Sequence, residues 1–232
     1  MVSWQERSRR AAGAFLLCRG CLGPLDGAAV AGLCGRCWSG LVPLVEERCA
    51  RCALVHGEGD CPEPTAWSHG DALWDYHGGR PPLGALLLPA IKAGEAGWRK
   101  ALLGQVADAA LPPWTADVDR VTAAPTALHR RLLRGFDLAE EAASLLARRL
   151  ERPFQSLLTK AWRTGRQAAR TESQRRRLPK AAIALRGPRL SGGTVLLVDD
   201  VWTTGTTLLR CAQALQAGGA DDVRVLTLFR AL

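Results

Sequence analysis

The stretch VLLVDDVWTTGTTL, residues 195–208, constrains the fold more tightly than any other part of the chain. Val195, Leu196, Leu197 and Val198 form an unbroken apolar run, which predicts a strand covered on both faces inside a parallel sheet. Asp199 and Asp200 follow at the carboxyl end of that strand, where open α/β sheets bind their ligands. Thr203, Thr204, Gly205, Thr206 and Thr207 then lead into Leu208–Ala217, which has helical spacing. Threonine hydroxyls, unpaired backbone N–H groups and the positive end of a helix dipole together make a cradle for an anion. Carboxylates accept hydrogen bonds from hydroxyls but repel phosphate, so the acid pair is expected beside the cradle and not in it. The chain has no GxxxxGK[ST] sequence, which excludes a Walker-type phosphate loop.

The flanking sequence alternates between strand and helix patterns. Residues 72–77 read as a short strand. Leu83–Leu111 reads as a helical stretch interrupted at Pro89 and Gly94. Val121–Ala124 is a strand that ends in a turn at Ala124, Pro125 and Thr126. Asp137 suits a helix N-cap, with Glu140 placed to complete a capping-box-like pair, and Leu138, Ala142, Leu145 and Leu146 form the buried face of that helix. Phe154–Leu158, Ala181–Leu185 and Val223–Phe229 complete the strands, and Gly218 and Gly219 end the last helix. Such alternation predicts an α/β fold, a mostly parallel sheet flanked by helices. Residues 1–67 are expected to form a separate small module and residues 68–232 the α/β unit.

That first module carries seven of the eight cysteines. Cys18, Cys21, Cys34 and Cys37 make two CxxC pairs separated by twelve residues, a spacing that lets four thiolates surround one Zn²⁺. Cys49 and Cys52 form a third pair, but only Cys61 follows. A second zinc site is then a fair alternative to a lost one, with His56, His69 or Asp60 available as the fourth ligand. Cys211 reads as core.

The net charge of +9 is concentrated: residues 129–177 hold 13 Lys and Arg against 5 Asp and Glu, whereas residues 1–67 hold 7 of each. The cysteine module is therefore expected to be a structural staple, and the basic segment to meet an anionic partner. No apolar run approaches the ~20 residues needed to cross a bilayer, and Leu17 is too large for the residue before a processed lipoprotein cysteine. The expectation is a cytoplasmic protein without membrane insertion.

Together these residues resemble the ComF family, phosphoribosyltransferase-like proteins linked to DNA uptake during natural competence. The resemblance runs from the paired CxxC knuckles through RRLLRGF and RTGRQ to VDDVWTTGTT, the last also being the diphosphoribosyl-binding signature of type I phosphoribosyltransferases. It implies a type I phosphoribosyltransferase-like sheet with an N-terminal zinc ribbon. Asp199 and Asp200 would act as the catalytic acid pair on the ribose hydroxyls, and Thr203, Thr204, Gly205, Thr206 and Thr207 would bind the 5′-phosphate of phosphoribosyl pyrophosphate (PRPP). Ala124, Pro125 and Thr126 match the pyrophosphate loop. Arg130, Arg131 and Arg134, with Arg163, Arg175, Arg176 and Arg177 of the basic loop 163–177, would supply anion binding. Zn²⁺ and PRPP-bound Mg²⁺ are the implied cofactors, and single-stranded DNA and other competence-machinery proteins the implied partners.

Three features depart from the family pattern: Asp137 replaces the usual Asn, AARTESQRRR follows Gln167, and the fourth cysteine pair is incomplete. The expected function is that of a PRPP- and Mg²⁺-binding, phosphoribosyltransferase-like protein acting in DNA uptake or processing, with ribose-phosphate transfer to an unassigned acceptor as the leading reaction. A non-catalytic single-stranded-DNA-binding factor is the alternative, and a nucleobase-salvage transferase a third reading.

Overall fold

A computed structural model of the chain describes residues 17–25, 29–44, 48–56, 61, 65–160 and 183–231. Its centre is a four-stranded parallel sheet in the order β1 (His69–Asp75), β6 (Asp222–Arg230), β5 (Thr194–Trp202), β2 (Arg120–Ala123). A separate two-stranded antiparallel pair, β3 (Leu158–Lys160) and β4 (Ile183–Leu185), flanks the sheet. The helices are α1 (Gly35–Trp38), α2 (Leu83–Lys92), α3 (Ala96–Asp108), α4 (Leu128–Arg134), α5 (Leu138–Arg149) and α6 (Thr206–Ala217).

The apolar run in β5 does what its composition predicts. Leu196 and Val198 face one layer with α2, α3 and α5, while Val195 and Leu197 face the other with α6 and the β3–β4 pair. All four side chains are fully buried. A strand sandwiched in this way has no solvent face, so it carries no alternating polar residues.

Both edges of the sheet are covered. At β1, Pro43 forms an isolated antiparallel bridge with Trp74, and Asp75 N–H donates to the Val42 carbonyl. At β2, Phe154 bridges Val121 in parallel. Those contacts use the unpaired backbone groups that would otherwise template aggregation. The expected strand Phe154–Leu158 is thus two things, a single edge bridge at Phe154 and a strand that begins at Leu158. Pro153 O accepts from Val121 N–H and Gln155 N–H donates to Val121 O, and Leu157 N–H then turns to the Thr122 hydroxyl.

Other expectations shift for identifiable reasons. Pro89 lies inside α2 and does not interrupt it, because Leu87, Leu88 and Ile91 around it are buried and hold the helix through packing. Gly94, at a φ of +112°, does separate α2 from α3. Asp137 caps α5 by accepting from Glu140 N–H at 3.4 Å. The reciprocal half of the capping box is replaced, since the Glu140 carboxylate pairs with Arg131 at 2.7 Å. Residues 181 and 182 of the expected strand lie outside the described residues, as does the basic stretch 163–177.

The cysteine-rich segments share the interior of the α/β layer. Cys18, Leu33, Cys37, Trp38 and Leu41 pack in the same cluster as Trp74, Leu83 and Leu87 of β1 and α2. Cys52, Ala53 and Trp67 pack in the other cluster with Trp202, Leu208 and Cys211. Gly84 lets α2 seat against the sheet, for a Cβ there would lie 2.7 Å from the Tyr76 carbonyl oxygen.

Candidate functional site

The acid pair sits within β5, two residues before its end, because Val201 and Trp202 continue the pairing to Phe229 and Arg230. Ala123 of β2 is in register with Val198, and Ala124 N–H donates to the Val198 carbonyl at 2.8 Å. β2 therefore ends level with the acid pair, and the Ala124–Thr126 turn leaves the sheet beside it. That turn lines a cavity of about 280 Å³ together with Leu128, Arg131, Asp137, Lys160 and Arg186.

Beyond β5 the chain turns through Thr203 and Thr204 to Gly205, which caps α6 in the left-handed region at a φ of +68°. A side chain with a Cβ would be strained there, which explains the glycine among threonines. Thr203, Thr204, Thr206 and Thr207 are exposed, and the Thr204 and Thr206 hydroxyls lie 3.1 Å apart. The first N–H groups of α6 have no intrahelical acceptor. With Asp199, residues 201–208 line a small cavity of about 40 Å³. Exposed threonine hydroxyls and the start of α6 thus lie just beyond the two carboxylates of β5.

The sequence did not point to Lys92. It is the last residue of α2, and its Nζ lies 2.6 Å from Asp200 Oδ2. Asp199 Oδ1 accepts from Asp200 N–H at 2.8 Å. Burial and the adjacent Asp200 charge push the Asp199 carboxyl up to about 8; the Asp200 N–H and Lys92 act against that rise, and Asp137 adds to it. Below that value Asp199 keeps its proton, so the ligand-free pair carries one full carboxylate charge, on Asp200 opposite Lys92. Burial and Asp199 likewise push the Cys211 thiol up, leaving it an inert core residue.

Of the three arginines on α4, Arg131 alone lines the cavity, and Glu140 compensates its charge. Arg130 and Arg134 lie on a helix with no buried residue. Arg163, Arg175, Arg176 and Arg177 lie outside the described residues. Trp202 is fully buried, edge-on to Trp67 at 5.4 Å between ring centroids, so packing is its role.

Seven cysteines and one histidine gather into two donor sets. Cys18, Cys21, Cys34 and Cys37 form the first, with Sγ–Sγ distances of 3.5 Å for Cys18–Cys37 and 3.8 Å for Cys21–Cys34. Cys49, Cys52, His56 and Cys61 form the second, with Cys49–Cys61 at 3.4 Å and Cys52 Sγ–His56 Nε2 at 3.2 Å. Four thiolates around Zn²⁺ at about 2.3 Å stand about 3.8 Å apart, so both sets fit that ion. Of the three candidates for a fourth donor, His56 is the one whose ring nitrogen the fold brings into the second set. His69 instead stacks near Trp114 on β1, and Asp60 lies outside the described residues.

Charge favours a thiolate at one cysteine of each set, whereas Cys37, Cys52 and Cys61 are pushed up, by burial first and then by neighbouring thiols. Burial opposes a thiolate at Cys18, yet N–H groups of Cys34, Cys21 and Gly20 outweigh it and pull the thiol down to about 6. Burial likewise opposes a thiolate at Cys49, where N–H groups of Arg51 and Cys52 and the neighbouring Cys61 and Cys52 lower the thiol to about 6. Backbone donors aimed at sulfur in this way stabilise metal-bound thiolates.

Comparison with known proteins follows the same lines. A phosphoribosyl transferase domain model matches residues 135–232. The DNA utilization protein YhgH of Salmonella typhi is 30% identical over 212 residues, covering 87% of this chain and 91% of that protein. Its counterpart from Escherichia coli O157:H7 is 35% identical over 115 residues, and there the match spans 49% of this chain and 50% of that one. Among solved structures, the Bacillus subtilis glutamine PRPP amidotransferase bound to ADP and GMP aligns with 56% of this chain and 26% of its own, at 24% identity and a TM-score of 0.39. The Aeropyrum pernix orotate phosphoribosyltransferase aligns with 60% of this chain and 63% of its own, at 19% identity and a TM-score of 0.35.

The raised Asp199 carboxyl has a consequence for stability. Unfolded, Asp199 releases its proton near 3.8; folded, it holds that proton up to about 8. Between those values the native state binds more protons than the unfolded one, so this group destabilises the fold increasingly as pH rises, with the full cost above the upper value. Asp199→Asn removes the charge and keeps an oxygen to accept from Asp200 N–H. In ligand-free protein the variant should therefore gain thermal midpoint over wild type on going from roughly pH 4.5 to pH 8.5. A gap between the two melting curves that stays constant or narrows with pH would contradict the charged, buried environment of Asp199.

Proposed function

The chain belongs to the ComF family, and from that premise we propose that it binds PRPP with Mg²⁺ and transfers ribose phosphate in DNA uptake or processing. The observation that supports this reading is the register of β2 against β5, which brings the Ala124–Thr126 turn level with Asp199 and Asp200 at the carboxyl end of the sheet, just before residues 203–207. Each suits a different part of one ligand. The Thr203–Thr207 cradle takes the 5′-phosphate. Asp199 and Asp200 accept hydrogen bonds from the ribose 2′- and 3′-hydroxyls. The Ala124–Thr126 turn meets the pyrophosphate, with Arg131, Lys160 and Arg186 around the same cavity.

Transfer breaks the bond between C1 of ribose and the pyrophosphate oxygen and forms one from C1 to an acceptor. The electron pair leaves with pyrophosphate, and positive charge develops at C1 and the ring oxygen. Mg²⁺ supplies charge neutralisation on the departing pyrophosphate and suits its hard oxygen ligands. The protein's part is to position and to stabilise charge, so no covalent nucleophile is required. Lys92 pairs with Asp200 and orients its carboxylate before ligand arrives. In this reading both thiolate sets hold Zn²⁺ and staple the N-terminal segments to the sheet. Replacing Asp199 and Asp200 together by Asn should leave a folded protein whose Mg²⁺-dependent PRPP binding is lost by calorimetry. Unchanged affinity in that double variant would refute the assignment.

The relatives named for DNA utilization, together with the 13 basic residues in 129–177, favour single-stranded DNA as a second ligand. Each phosphate contact then releases counterions, and affinity falls with salt at a slope of roughly −0.7 per contact. Changing Arg175, Arg176 and Arg177 to Ala should flatten that slope by up to about two units. A triple variant that binds single strands like wild type at every salt concentration would exclude this loop as the DNA contact.

A further inference from the structure

An unbroken series of contacts joins the second thiolate set to the anion cradle. It starts at the two residues between Cys49 and Cys52. The Ala50 carbonyl accepts from Gly70 N–H at 2.8 Å, and the Arg51 carbonyl accepts from Trp67 Nε1 at 2.6 Å. Trp67 stands edge-on against Trp202. Gly70 closes the gap between them, since a Cβ there would come within 2.6 Å of the Arg51 oxygen and of Trp67 Nε1, and 3.0 Å of Trp202. Knuckle and indoles are thus in contact with no slack to absorb a shift.

From Trp202 the series continues through Arg230. Arg230 is 1% exposed, its guanidinium lies 4.5 Å over the Trp202 ring, and Nη1 donates to the Trp202 carbonyl at 3.1 Å and to the Thr203 carbonyl. Ala231 N–H donates to the same Trp202 carbonyl. These two carbonyls are the last fixed points before a cradle whose four threonines are all exposed and contribute little packing of their own. A buried cation holds the entry to the loop, at Trp202 and at the backbone of the cradle's own first residue, Thr203.

We propose that Trp202 and Arg230 are positioning residues for the 203–207 cradle, and that their placement depends on a metal ion held by Cys49, Cys52, His56 and Cys61. The proposal rests on reading the cradle as a 5′-phosphate site. It assigns the second knuckle a task beyond stapling: its metal occupancy sets the affinity of the cradle, so thiolate oxidation or metal loss there lowers ligand binding without touching a ligand contact.

Two probes separate the cradle from the rest of the site. Ribose 5-phosphate reports on residues 203–207 together with the acid pair, which these variants leave unchanged, and inorganic pyrophosphate with Mg²⁺ reports on the 124–126 turn. In full-length, zinc-loaded protein, Arg230→Met should weaken ribose 5-phosphate by roughly tenfold or more, the loss expected for a held loop set free. Arg230→Lys, which keeps the charge and one donor, should recover part of that loss. Cys61→Ser should release one zinc equivalent and weaken ribose 5-phosphate by about threefold or more, on the same scale. His56→Asn provides the same test should the cysteine variant fail to fold. Pyrophosphate affinity should stay at the wild-type value throughout. Variants that bind ribose 5-phosphate as wild type does, or that lose both probes in parallel, overturn the positioning role. Wild-type protein that binds neither probe overturns the underlying reading of the cradle, and the proposal with it.

Discussion

Hydrogen bonding of β5 on both sides is the constraint on which the rest of the structure depends. Parallel pairing with β2 and β6 puts Val195–Val198 in a layer with no solvent face and fixes where the chain must leave it. From that one register follow the level of the Ala124 turn, the position of the carboxylates and the start of α6. Two adjacent acids in such a place are costly, as the rise of Asp199 to about 8 through burial and Asp200 shows. Below that value the free protein avoids the second charge by keeping a proton on Asp199, and Lys92 acts only in part against this.

The same strand also explains why the cysteine-rich segments are built into the interior. The first set packs under α2, the helix that ends in Lys92, while the second packs against Trp202 at the end of β5. Each therefore supports one side of the acid pair. An α/β layer with four strands in its main sheet among the described residues gains from such supports, and Pro43 and Val42 also cover the β1 edge.

What was legible in the sequence was local. The apolar run, the acid pair, Gly205 and the CxxC spacing each state their role within a few residues, because each answers to a backbone or metal geometry of short range. Long-range partners were not legible. Lys92 meets Asp200 only because α2 folds across the sheet, and its one hint is that it is among four lysines in a chain rich in arginine. Arg230 follows an apolar run that reads as the end of a strand, and nothing local shows that it reaches back to the Trp202 and Thr203 carbonyls. His56 was one of three possible ligands until the fold brought its Nε2 to Cys52. Pro89 misled for the opposite reason: packing overrode its local preference to break a helix.

The central proposal is that the carboxyl end of the sheet reads one phosphoribosyl ligand with three neighbouring elements. A crystal structure of the zinc-loaded chain soaked with PRPP and Mg²⁺ tests it most directly. The account predicts the 5′-phosphate in hydrogen-bond contact with N–H groups and hydroxyls of Thr203–Thr207, the ribose hydroxyls on Asp199 and Asp200, and pyrophosphate against Ala124–Thr126. A ligand held elsewhere, or with its pyrophosphate in the threonine cradle, would contradict it.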